Sequence, residues 1–283
     1  MPTQWTVLAS GSSGNASLLD TNGCGVLLDV GVGPRVLATR MAQVGGAWTK
    51  VQAVLLTHTH SDHWNARTLA QLLARKIPLY CHDGHLARLR ADCSAFSALE
   101  RAKLVRKFET GEEFKLPGGL RCLPLAVRHD SGATFGFRFT GVADLFTQEW
   151  SLGYAADLGT WDADLASALV DVDVLALEFN HDVAMQRNSG RHPDLIARVL
   201  GDEGHLSNEQ AANMVQAVVS QSARRRVQQL VQLHLSRQCN RPDLALRAAQ
   251  AAMDALGIEF GVQTAAQDTI TRPIVLGATA EAA

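Results

Sequence analysis

Nearly unbroken apolar runs alternate along this chain with amphipathic stretches, and the two patterns predict different elements. Residues 51–57, Val51-Gln52-Ala53-Val54-Leu55-Leu56-Thr57, and the runs 151–156, 172–178 and 227–233 are short and largely apolar, as in strands covered on both faces. Further strands are predicted at 6–10, 17–20, 25–29, 78–81, 104–108, 121–127 and 133–140. Helical spacing predicts helices at 34–43 with Pro34 in the first turn, 64–76 with Leu69, Leu72 and Leu73 on one face, 84–91, 162–170, 193–201, 207–222, and 242–256 closed by Gly257. Strands interleaved with helices indicate an α/β architecture. No internal repeat is visible, and the only biased segment is an Ala-rich tail after Gly277, expected to fray.

Composition narrows the class. The chain has 283 residues, 47% hydrophobic, and no Pro/Ser-rich linker divides it, so a single domain over 1–283 is expected. Five cysteines, Cys24, Cys81, Cys93, Cys122 and Cys239, are odd in number and lack a CxxC spacing, which favours buried thiols in a reducing compartment. The N-terminus has no basic or apolar leader region, and nowhere do ~18 apolar residues run together, so a cytoplasmic, membrane-free protein is expected. Net charge is −2, giving no global electrostatic case for nucleic acid, although a local groove can still be basic. Arg224-Arg225-Arg226, the one dense basic run, reads as a solvated turn after a helix.

The chemistry is concentrated in His58-Thr59-His60-Ser61-Asp62-His63, where four metal-ligand side chains directly follow a predicted buried strand. Residues two apart in extended backbone point the same way, so His58 and His60 can grip one ion. Asp62 and His63, expected in the opening turn of the 64–76 helix, are aimed at a neighbouring position, and two adjacent metals follow.

This hexapeptide resembles the signature of the metallo-β-lactamase superfamily, whose fold is a four-layered αββα sandwich with one or two metals at the edge of its sheets. The resemblance runs along almost the whole chain, through Leu27-Leu28-Asp29-Val30-Gly31, His129-Asp130, Tyr154-Ala155-Ala156-Asp157-Leu158-Gly159 and His234-Leu235-Ser236. Ala9-Ser10-Gly11-Ser12-Ser13-Gly14-Asn15, Leu177-Glu178-Phe179-Asn180-His181-Asp182 and Gly204-His205-Leu206-Ser207-Asn208 look like the YycJ/WalJ-like branch of bacterial metallohydrolases. That branch implies a phosphodiesterase or nuclease.

The resemblance also implies a ligand set. Site one would be His58, His60, His129 and Asp157; site two would be Asp62, His63, Asp157 and His234, with Asp157 bridging. His82 and His85 compete with His129 on composition alone, and Asp157 could instead be a turn or cap residue before Gly159. Two shared cations lower the pKa of a bridging water from ~15.7 towards ~7 and clamp the oxygens of a phosphoryl displacement, so Asp62 and Asp157 count as catalytic. Zinc suits the imidazole-rich first site, and manganese or iron the more oxygen-rich second. Asp29 is expected either behind a ligand His, fixing its tautomer, or as a plain turn residue before Gly31.

Substrate contacts must come from elsewhere. His205 precedes a helix that Ser207 and Gln210 can cap as a box, where it could grip phosphate, protonate a leaving oxygen, or simply face solvent. His181 is a similar candidate. Ser236 and Asn240 could touch phosphate, although Asn240 could equally be an N-cap. Residues 10–15 form either a substrate-facing loop or an ordinary hairpin turn. Only 76 residues separate Asp157 from His234, too few for the inserted cap domain of superfamily nucleases that cut long RNA. Small phosphodiesters or nucleic-acid ends are therefore the expected substrates. The alternatives are a thioester or lactone hydrolase using the same metals, and a non-catalytic regulatory or partner-binding protein that keeps the fold.

Overall fold

The computed structural model describes residues 3–141, 148–223 and 227–277. The predicted Arg224-Arg225-Arg226 turn and the Ala-rich tail lie outside them. The chain divides into two compact units, one made of Met1–Pro124, Phe139–Trp150 and Gln267–Ala283, the other of Leu125–Arg138 and Ser151–Ala266.

The first unit contains a seven-stranded sheet. Its strands are β1 (Thr3–Ala9), β2 (Ala16–Thr21), β3 (Cys24–Leu28), β4 (Val51–Leu55), β5 (Leu79–His82), β6 (Val105–Phe108) and β14 (Ile274–Leu276), in the order β14-β1-β2-β3-β4-β5-β6. β1, β2 and β3 pair antiparallel, whereas β3 to β6 run parallel. Helices α1 (Pro34–Ala42), α2 (Ala66–Arg75), α3 (Asp83–Asp92) and α4 (Ser94–Arg101) pack on it. Leu37, Leu69, Leu72, Leu89 and Phe96 from these helices are fully buried against Leu27, Val54 and Leu79. That mutual burial explains why the parallel strands read as continuous apolar runs.

A second sheet runs β13-β12-β11-β10-β9-β8-β7, from β7 (Phe114–Lys115), β8 (Arg121–Ala126), β9 (Phe135–Gly141), β10 (Trp150–Ala155), β11 (Val174–Glu178), β12 (Gln229–Leu233) and β13 (Gly261–Thr264). β10 to β13 are parallel. In the second unit, α5 (Ala163–Ala168), α6 (Val183–Arg187), α7 (Pro193–Leu200), α8 (Asn208–Gln221) and α9 (Pro242–Leu256) follow these strands. Ala211, Val215, Val218, Ala245 and Ala249 of α8 and α9 bury against Leu175, Leu177 and Leu230. Among the described residues no helix is long and apolar enough to cross a membrane.

Most predicted elements appear within a residue or two, with instructive exceptions. The helix expected from Trp64 begins at Ala66, because Asn65 caps it by accepting from the Arg67 and Thr68 amides. Asp62 and His63 therefore lie in the turn ahead of the helix rather than in its first turn. α4 and α6 were not predicted: at 8 and 5 residues they are too short for apolar spacing to distinguish them from loops. The two-residue β7 escapes for the same reason.

Candidate metal centre

Parallel strands place several of the donors of interest at or just beyond a C-terminal strand end. His58 follows β4, Asp157 follows β10, and His234 follows β12. Asp29 follows β3 and Glu178 closes β11. Asp29, Asp157 and His234 share a further property, left-handed backbone with φ of 58°, 57° and 54°. This is uncommon outside glycine and best tolerated by Asn, Asp and His. Each reversal turns a strand end sharply enough to present its side chain at the sheet edge.

In the first unit, His58 and His63 are fully buried, their rings 3.9 Å apart, and the His60 ring meets that of His58 edge-on at 5.0 Å. Asp29 organises this group from behind. Its buried carboxylate accepts from the Thr57 amide at 2.9 Å and the Thr57 hydroxyl at 2.9 Å, and its Oδ2 lies 2.8 Å from His63 Nδ1. Burial pushes the Asp29 carboxyl above its ordinary pKa, opposed by His63 and the hydrogen bonds of His63 and Thr57. With Nδ1 donating to Asp29, His63 keeps its lone pair at Nε2 for a cation. Asp29 is thus a partner of a ligand candidate and not a mere turn residue.

The 10–15 segment is not a tight two-residue hairpin. It connects β1 to β2, and Asn15 turns onto the His/Asp motif: its amide bonds the Asp62 carbonyl at 2.7 Å, and its Nδ2 lies 3.2 Å from Asp62 Oδ2 and 2.9 Å from His63 Nε2. Gly31 permits this approach, since a Cβ there would sit 1.7 Å from the Asp62 carbonyl oxygen. His82 and His85 belong elsewhere. They form the capping box of α3, and His85 is fully buried.

In the second unit, Asp157, Glu178, His205 and His234 each offer a ligand-capable atom within 4.8 Å of the others. His205 Nδ1 lies 2.8 Å from Glu178 Oε1 and 3.6 Å from Asp157 Oδ1. His234 Nε2 is 3.4 Å from Asp157 Oδ1, and its Nδ1 is 3.3 Å from Glu178 Oε1. Glu178 Oε2 accepts from the amides of Leu158 at 3.0 Å and Leu206 at 3.2 Å. Burial alone would raise the Glu178 pKa, but the charge and hydrogen bond of His205, with that of His234, outweigh it and hold the carboxyl down to about 2. Burial correspondingly pulls His205 down, and Glu178 and Asp157 more than reverse it, so its pKa is raised. His205 is 18% exposed and anchored, not a solvent side chain.

His129 completes the set. The Gly204 carbonyl lies 2.9 Å from its Nδ1, which again directs Nε2 outward, and its ring lies 5.0 Å from that of His205. His63 and His129 therefore have an oxygen acceptor at Nδ1, the arrangement that readies Nε2 for a metal, while His234 Nδ1 lies between Glu178 Oε1 at 3.3 Å and the Asn180 side-chain nitrogen at 3.2 Å. The donor chemistry fits divalent ions. Gly159, which follows Asp157 closely, permits a tight backbone approach: a Cβ there would fall 2.3 Å from the Gly204 nitrogen.

The remaining candidates have identifiable structural work. Ser207 and Gln210 form the predicted capping box of α8. Ser236 Oγ accepts from the Cys239 amide at 3.2 Å. Asn240 is not the N-cap of α9; that position is Arg241, and Asn240 instead exchanges amide bonds with Asn208 and donates to the Phe179 carbonyl. His181 is buried, and neither ring nitrogen has a hydrogen-bond partner among the described residues. Burial pulls its pKa down to about 4, against the opposing charge of Glu178. It lines a cleft of about 320 Å³ with Ser207, Asn208, Leu244 and Ala248. Glu178 and Asn15 were missed by the sequence reading, although Glu178 left one signal, a carboxylate ending the buried run Val174-Leu175-Ala176-Leu177.

A family model described as a beta-lactamase superfamily domain matches residues 25–228. The chain belongs to the metallo-β-lactamase superfamily, has its α/β fold, is a metal-dependent hydrolase and resembles the superfamily's YycJ/WalJ branch. Exodeoxyribonuclease WalJ of Streptococcus pneumoniae serotype 2 (strain D39 / NCTC 7466) is 29% identical over 282 residues, 95% of this chain and 96% of that protein. Exodeoxyribonuclease YycJ of Bacillus anthracis is 26% identical over 279 residues, with the same two coverages of 95% and 96%. Among solved structures, the metallo-β-lactamase fold protein YhfI from Bacillus subtilis superposes with a TM-score of 0.67 at 18% identity, covering 96% of this chain and 99% of that one.

Proposed function

We infer that the chain is a dinuclear metal-dependent phosphodiesterase acting on nucleic-acid ends, an exonuclease in the manner of its WalJ and YycJ relatives. The observation that carries this is the second-unit cluster, in which Glu178 fixes His205 beside the metal-ligand candidates Asp157 and His234. His58, His60, His129 and Asp157 would hold one ion, and Asp62, His63, Asp157 and His234 the other. When bound, such ions supply Lewis acidity and a nucleophilic hydroxide at neutral pH. Zinc is the first choice for so many imidazoles. Residues 1–283 we take as one metallo-β-lactamase-like domain without an inserted cap. The five buried free thiols support a reducing, cytoplasmic setting.

The protein's own groups divide the remaining work. Glu178, ionised and buried, orients His205 through Nδ1 and favours its protonated form, leaving the Nε2 proton available to a departing oxygen. Asp29 and the Gly204 carbonyl hold His63 and His129 in the tautomer that leaves Nε2 unprotonated.

The test is His205→Ala, assayed on a dinucleotide and on bis(p-nitrophenyl) phosphate, with thioesters and lactones as controls. Metal content should persist while dinucleotide cleavage slows by about 10² to 10⁴, the worth of a positioned general acid. The loss should shrink with p-nitrophenolate, which leaves without protonation. Equal losses on both phosphodiesters would remove the acid role, and turnover confined to thioesters or lactones would overturn the phosphodiesterase assignment.

A further inference from the structure

The chain as a whole is slightly acidic, yet two segments beside the site are not. Residues 183–193 and 235–242 together contain four arginines, Arg187, Arg191, Arg237 and Arg241, and no aspartate or glutamate. They are stitched to each other and to the strand ends that carry Glu178 and His234. The Asp182 amide donates to the Cys239 carbonyl at 2.8 Å, and the Ser236 amide to the Asn180 carbonyl at 2.8 Å. The Asn180 side chain in turn donates to the His234 carbonyl at 2.9 Å.

The guanidinium of Arg191 is the centre of this rim. Its Nε and Nη2 both donate to Gln238 Oε1, at 3.0 and 2.6 Å, so the planar fork is fixed by an amide that neutralises none of its charge. Arg187 is exposed and makes no ion pair among the described residues. Of the carboxylates flanking the two segments, Asp182 caps α6, Asp194 lies against His192, and Asp243 pairs with Arg247 and with Arg241, the one arginine of the four whose charge it offsets. A held guanidinium four residues along the chain from a second that is exposed and makes no ion pair among the described residues suits bidentate binding of successive phosphates.

We propose that these two stitched segments form a cationic rim, centred on Arg191 and Arg187, that grips the phosphate backbone of a nucleic-acid strand whose end occupies the site. This rests on the phosphodiesterase reading and names how a polymer, rather than a small diester, is held. It replaces the missing cap domain with arginines on the domain itself.

The experiment measures binding of a labelled phosphorothioate oligothymidylate to the holoenzyme by anisotropy across a salt series, alongside turnover of bis(p-nitrophenyl) phosphate. Single-strand binding loses roughly 0.7 in log–log slope for each phosphate contact removed. The Arg187→Ala/Arg191→Ala variant should therefore flatten the slope by about 1.4 and weaken low-salt affinity at least tenfold, with bis(p-nitrophenyl) phosphate turnover unchanged. Gln238→Ala, which leaves the charge but releases the fork, should weaken affinity while keeping the slope. An unchanged slope in the double variant, no oligonucleotide binding by the wild type, or an equal loss on the small diester would each overturn the rim. Failure of the wild type to cleave any phosphodiester would instead overturn the parent reading, while the binding series would still decide the rim.

Discussion

Glu178→Gln is the sharpest perturbation of this site, because the carboxylate is fully buried and its two oxygens serve four groups: the Leu158 and Leu206 amides and the Nδ1 atoms of His205 and His234. A glutamine keeps the shape but has a single acceptor oxygen. If that oxygen stays on the two amides, the new NH₂ faces both imidazoles, and each is driven to present a lone pair at Nδ1 and carry its proton at Nε2, which in His234 also weakens the hold on a cation and is why the comparison is made at saturating metal. His205 then loses the anion that raises its pKa. Hydrogen bonds to a charged group contribute about 1.5–3 kcal/mol each, so partial replacement of two should cost about 2–4 kcal/mol, survivable against a typical margin of about 5–15. Catalysis should suffer more. With Glu178 acting through His205, kcat on a dinucleotide should fall towards that of His205→Ala, about 10² to 10⁴ below wild type. The assay is a double-mutant cycle at saturating metal: the Glu178→Gln/His205→Ala protein should be no slower than His205→Ala alone. Multiplied losses, or wild-type kcat in Glu178→Gln, would refute the coupling.

Two further outcomes follow from the ligand set and the buried ring. Asp62→Ala should deplete one ion selectively and Asp157→Ala should impair both, read by elemental analysis after reconstitution; identical losses would remove the bridging role of Asp157. His181 titrates near 6.5 when unfolded and about 4 when folded, so between those values the unfolded chain binds more protons and stability falls as pH drops, levelling below about 4. The loss at this position is at most about 3 kcal/mol, and His181→Gln should show a smaller decrease in urea midpoint between pH 7 and pH 4.5 than wild type. Equal decreases would mean the ring is not held neutral.

What the sequence disclosed tracks how local the information is. His58 to His63 was legible because strand end, turn and donors fall in one contiguous segment, and His129, Asp157 and His234 because each follows a recognisable apolar strand. Glu178 was opaque: one carboxylate at a strand end looks like a surface residue until the fold brings two amides and two histidines to it. Asn15 was hidden similarly, since its bonds to Asp62 and His63 cross 47 and 48 residues. The arginine rim needed two segments to be brought together, so only Arg224-Arg225-Arg226 stood out along the chain.

The left-handed backbone at Asp29, Asp157 and His234 bears on how such an enzyme can change over time. Asp and His have short polar side chains that tolerate this conformation, and Asn and Gly tolerate it as well or better. Substituting Asn or Gly at these positions would therefore meet the demand of the turn while deleting the donor. A lineage could lose its chemistry one residue at a time and keep a sound scaffold throughout. In the opposite direction, Glu or Cys would offer a donor but not the short polar fit to the turn, so exchanging one metal-binding chemistry for another is the harder route. The fold is thus permissive towards silence and restrictive towards a new metal.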